Sequence, residues 1–225
     1  MFSTGPFSFQ PGAVRTVNGI KTKQWEMHYG VTFLAALTLP ESATQAEIAD
    51  AFDGTRAQFI DDAQRQFAPD LLRLTDADGE TLATIRVSSW PTGMSIGIPD
   101  DRFPSWLCTE TKPTSCMPVS LDEFAQIAAR RAAPPRAWIA GLLPDDVLTT
   151  TAEDWQAPTA HEIRHIVGEG SLTGVTGAAA AALVGVTPQN FRKYLAADDA
   201  TTRQKISFAM WHLLLAQLGV QGVQA

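Results

Sequence analysis

Five polar residues crowd one short stretch near the end of the chain: Thr187, Gln189, Asn190, Arg192 and Lys193. Their types suit the reading of duplex DNA. The amides of Gln189 and Asn190 match adenine, the forked guanidinium of Arg192 matches guanine, and Lys193 offers a point charge to a phosphate. Thr187 has the hydroxyl of a helix N-cap, and a capped helix start also suits a phosphate. Phe191 and Tyr194, three residues apart, fall on the other side of the same turn of helix and supply its inner face.

The segments around this ridge must position it. Thr176 is placed to cap a helix of strong helix formers from Ala178 to Leu183. Gly185 sits where that helix stops and the backbone needs a positive φ. Thr187 and Pro188 then open a second helix, proline costing nothing in a first turn. Ala181, four residues before Gly185, is small enough for the two helices to cross closely. The spacing predicts a helix-turn-helix with its polar side turned to the major groove. Two copies would use half-sites about one helical turn, or a multiple, apart.

A second string invites a different chemistry. His161-Glu162-Ile163-Arg164-His165 has the H-E-x-x-H spacing of a zinc hydrolase. A third ligand is missing: the metzincin continuation places it at position 171, a serine, and the next histidine is His212, in another helix. Ile163, Ile166 and Val167 need a core to pack against. The segment therefore reads as the first helix of a DNA-binding domain, with no metal site, no catalytic residue and no cofactor. A phosphate-binding Walker loop and a dinucleotide fingerprint are absent.

Charge is uneven. The 225 residues carry a net −7, with −8 in residues 1–154 and +1 in 155–225. The last part is thus mildly basic, and the acidic part suits a basic protein partner or simply a solvated surface. No run approaches membrane-spanning length, and the first residues lack a signal peptide's basic start and apolar core. That predicts a cytoplasmic protein with no membrane partner. Cys108 and Cys116, too few for a zinc site, are then expected as free thiols unless a loop brings them together.

Three domains follow in order. Residues 1–91 read as an α+β partner-binding domain. Trp25, Met27 and Tyr29 alternate as in a strand, and Val31–Leu37 makes a second. Thr44 and Glu47 form a capping box for a helix that Gly54 divides, and Asp76-Ala77-Asp78-Gly79 turns a hairpin. Residues 92–153, rich in proline, read as a small, mainly helical middle domain, with a capping box at Ser120 and Glu123 and a short helix from Trp138 to Leu143. Residues 154–225 read as an all-α helix-turn-helix domain closed by an apolar helix from Phe208 to Leu218. The expected fold class is multidomain α+β.

Several long strings carry a resemblance. They are Ile98 to Pro104, Ala133 to Pro144, Arg164 to Tyr194, and Arg203 to Phe208. With them the chain resembles the dual-function type I-F anti-CRISPR family numbered twenty-four, in which an inhibitor is fused to an Aca-like (anti-CRISPR-associated) helix-turn-helix regulator. The similarity departs at about 10–24 and 108–117. It implies a homodimer made in the bacterial host cytoplasm from a phage or other mobile element. It also implies binding to backbone subunits of the type I-F Cascade (Csy) complex, which blocks target DNA recognition. The C-terminal domain would repress its own promoter at inverted repeats in double-stranded DNA. A Cascade backbone holds nucleic acid and so displays cations. Asp61, Asp62, Asp70, Asp76 and Asp78 are the acids expected to meet them. The alternative is a plain phage or plasmid repressor with an acidic, non-enzymatic partner domain.

Overall fold

A computed structural model describes residues 1–88, 91, 97–110 and 116–222. The chain opens with four antiparallel strands in sequence order: β1 (Phe2–Thr4), β2 (Phe7–Val17), β3 (Ile20–Tyr29) and β4 (Thr32–Pro40). Asn18 and Gly19, both at positive φ, close the β2–β3 hairpin with the shortest turn that matches strand twist. The alternation in β3 puts Met27 on the covered face. There, Ile48 of α1 (Gln45–Ala51) and Phe52 pack against it with Phe7 and Phe9. The Thr44–Glu47 capping box forms as expected, and the helix breaks at Phe52, just before α2 (Asp53–Gln66).

A second sheet has the order β6-β5-β7-β8, again antiparallel, from β5 (Asp70–Thr75), β6 (Thr81–Val87), β7 (Trp106–Thr109) and β8 (Cys116–Pro118). α3 (Leu121–Arg131), started by the Ser120–Glu123 capping box, lays Phe124 and Ile127 on Leu72 and Leu107. The remaining helices are a 3-10 helix (Ala137–Leu142), α4 (Asp145–Leu148), α5 (Ala160–Ile166), α6 (Gly177–Leu183), α7 (Pro188–Leu195) and α8 (Phe208–Gln217).

The expected fold class needs correction. Among the described residues the fold is α+β with two four-stranded antiparallel sheets, and neither a mainly helical middle domain nor a separate all-α C-terminal domain emerges. Two strands of the second sheet, β7 and β8, come from the region read as mainly helical. The C-terminal helices do not close their own core: Ile139, Leu143 and Val147 are buried among Ile163, Phe191 and Trp211. Trp211 Nε1 donates to the Val147 carbonyl at 2.7 Å, and Arg136 donates to the Leu218 carbonyl at 3.0 Å. An indole buried this deeply needs an acceptor, and only the upstream segment supplies one.

The helices also seat on the first sheet. Gly5 N–H donates to the Glu169 carbonyl at 2.7 Å, and a Cβ at Gly5 would stand 2.1 Å from the Gly170 oxygen. Only glycine, here at φ +58°, allows that approach.

The cysteines depart from expectation as well. Cys108 and Cys116 face each other across β7 and β8, with Cα atoms 4.2 Å apart, and are joined by a disulfide. Strand pairing brings together what eight positions of chain separate. Among the described residues, no helix is long and apolar enough to cross a membrane.

Candidate nucleic-acid interface

Thr176 Oγ1 accepts the Ala179 N–H at 3.2 Å and starts α6. Ala180 and Ala181 are fully buried, and the chain leaves the helix through Gly185 at φ +72°. Val186 N–H donates back to the Ala181 carbonyl at 3.0 Å, which closes the turn. Thr187 Oγ1 then accepts the Asn190 N–H at 3.2 Å, and Pro188 occupies the first turn of α7. Each step follows from a residue type: hydroxyl cap, small helix formers, glycine stop, hydroxyl cap, proline.

α7 is anchored by Phe191, fully buried, with its ring edge-on to Tyr194 at 5.7 Å. Fixing that residue fixes the rest. Thr187, Gln189, Asn190 and Arg192 are exposed, and Lys193 is half-buried. Gln189 and Lys193 are four residues apart on the outward line, with Asn190 and Arg192 on either side of it. Those four share one face, while Thr187, four residues before Phe191, stands at the helix start. Two further residues hold the helix and carried no sequence signal. Arg164 Nη2 donates to the Leu195 carbonyl at 2.8 Å, a cation where the helix end is negative. Asp198 accepts the Ala160 N–H at 3.1 Å and pairs with Arg203 at 3.1 Å, tying the chain after α7 to the start of α5.

The H-E-x-x-H residues are otherwise engaged. The Glu162 carboxylate accepts the Thr159 N–H at 2.6 Å and completes a capping box. His165 is buried, and its Nδ1–H donates to the His161 carbonyl at 2.9 Å. That leaves Nε2 as an acceptor, 2.7 Å from the Tyr29 hydroxyl, which donates to it. Burial pushes the His165 imidazole down to about 4 and the Tyr29 phenol up to about 12. Both groups thus stay neutral near pH 7. The pair joins β3 to α5. Among the described residues, no group of three or more His, Cys, Asp or Glu is placed to hold a metal ion.

A further string, Gly93-Met94-Ser95-Ile96-Gly97, has the literal spacing of a hydrolase nucleophile elbow. Its serine lies outside the described residues. That motif needs a helix directly after it, whereas Gly97 leads through irregular chain into β7.

The five acids do not form one patch. Asp61 and Asp62 are exposed side by side on α2, and both pair with Arg65, at 2.6 and 2.8 Å. Asp76 is drawn into its turn, where its carboxylate accepts the N–H groups of Asp78 and Glu80 at 3.0 and 2.8 Å. Asp78 is exposed at the tip of that turn, and Asp70 lies at the opposite end of β5, about 20 Å away by strand rise.

No protein-family model matches the chain, and no curated protein matches it.

Proposed function

We propose that the chain is a sequence-specific DNA-binding regulator that inserts α7 into the major groove and represses its own promoter as a homodimer on inverted repeats. The carrying observation is that Gln189, Asn190 and Arg192 stand exposed on a helix whose opposite side, through Phe191, is fully buried, with Thr187 exposed at its start. Gel shift on the DNA upstream of the chain's own coding sequence tests this. Specific binding that weakens in Arg192→Ala is expected, and equal affinity for random and upstream duplexes overturns it.

The inhibitor role rests on the family resemblance and on the acidity of residues 1–154. In this reading the acidic portion occupies a cationic backbone surface of the type I-F Cascade (Csy) complex and blocks target DNA recognition without catalysis. Asp61, Asp62, Asp70 and Asp78 are its exposed candidate contacts. Co-elution with that complex on a sizing column, lost at raised salt, is the expected result. Operator binding without co-elution reduces the protein to a plain repressor.

A further inference from the structure

We propose that the β2–β3 hairpin is a second nucleic-acid contact, a basic two-stranded arm that enters the major groove of duplex DNA beside the stretch held by α7. This inference rests on the DNA-binding reading above. β1 pairs with β2 only as far as Phe9, so residues 10–17 have no strand on their outer side among the described residues. β4 reaches back to Thr22, so residues 16–21 form a tip two strands wide, with Lys21 on it and Arg15 and Lys23 at its foot. In a chain of net charge −7, residues 10–24 hold Arg15, Lys21 and Lys23 and no carboxylate.

The register distributes these cations. Arg15 lies opposite Thr22, Lys21 opposite Thr16 and Lys23 opposite Val14. Strand alternation then puts Arg15 on one face of the ribbon and both lysines on the other. A ribbon with its side chains is about 10 Å thick. It fits a major groove about 12 Å wide and not a minor groove of about 6 Å. Entering tip first, it meets a phosphate wall on each side with a cation.

Inside the protein Lys23 lies over the Trp25 ring, 5.2 Å from its centroid. Lys21 reaches Glu41 at 3.9 Å with its side chain 72% exposed, a contact of small value. Val14 and Ile20, 49% and 62% exposed, add apolar surface suited to thymine methyls. The other end of β3 is tied to α5 through Tyr29 and His165. Ten residues of strand separate it from the turn, about 33 Å.

The test measures binding of the full chain to its upstream duplex and to a random duplex of equal length, across a salt series. Two variants are compared: Arg15→Gln/Lys21→Gln/Lys23→Gln, and Arg192→Ala. The triple variant should bind both duplexes more weakly, with a salt slope lower by about 2.7 per arm. Its preference for the upstream duplex should persist. Arg192→Ala should lose that preference. Unchanged affinity and slope in the triple variant overturn the arm, and if Arg192→Ala still loses preference, the α7 reading stands. A triple variant that loses DNA while Arg192→Ala binds normally keeps the arm and removes α7. Normal DNA binding by the triple variant with loss of an acidic protein partner also overturns the proposal. The three side chains lie at or near the surface, so matching thermal melts establish that the variants fold.

Discussion

α5 and α7 are near-equals in design and opposites in use. Each is short, each starts at a threonine N-cap, and each carries polar groups at helical spacing beside a buried apolar residue. On α5 the polar groups are taken up by the protein itself: Glu162 by its cap, His165 by Tyr29, Arg164 by the end of α7. On α7 they turn out to solvent. A motif of reactive residue types is therefore only as good as the side of the helix that neighbours leave uncovered. H-E-x-x-H reads as hydrolytic on paper, yet here it fastens a helix to a sheet.

This contrast can be broken most forcefully at the buried faces. Phe191→Ala and Ile163→Ala should each cost stability, about 3–5 and 2–5 kcal/mol, in denaturant melts. A near-neutral result for Phe191 would mean that α7 is not held by its inner face, and the contrast would lose its basis.

Titration from neutral pH down through the histidine range probes α5. His165 binds its proton near pH 4 when folded and near 6.5 when unfolded, so the unfolded state holds more protons between those values. Stability should be full above about pH 6.5 and fall as pH drops through that window, by about 3 kcal/mol at most. Tyr29 acts at the other end: its phenol keeps its proton to about 12 in the fold, so stability should decline as pH rises above 10. Tyr29→Phe leaves His165 Nε2 unpaired and should cost about 1–3 kcal/mol. Flat stability from pH 4 to 7 would show that His165 is not buried as a neutral group.

On α7, Arg192→Ala should lower specific DNA affinity by about 1–3 kcal/mol and relax one base-pair position, while the melt stays unchanged. Lys193→Ala should weaken all sequences alike. The smallest effect belongs to Glu162→Gln. Glutamine also serves a capping box, so melts should move by less than about 0.5 kcal/mol. A hydrolase base at that position would instead lose all activity.

Much of the local structure was legible. The capping boxes at Thr44–Glu47 and Ser120–Glu123, the turn at Asp76–Gly79 and the α6–α7 pair depend on residues within a few positions of each other. Their hydrogen bonds need no distant partner. β7 was not legible. Trp106 to Thr109 is buried throughout and shows no alternation, so four residues among prolines carry no strand period. Its pairing with β5 spans more than thirty positions. The cysteine pairing followed the same course, since β8 became Cys108's neighbour only once the sheet had formed.

Local residue types set where helices begin and end and which side of α7 is apolar, because caps, glycine stops and helical spacing act within one or two turns. Packing between distant segments set the burial of His165 against Tyr29, the core that the C-terminal helices share with residues 137–148, and the cysteine bond. Those outcomes depend on which distant surfaces exclude water from one another. Such contacts form between residues that no local period connects.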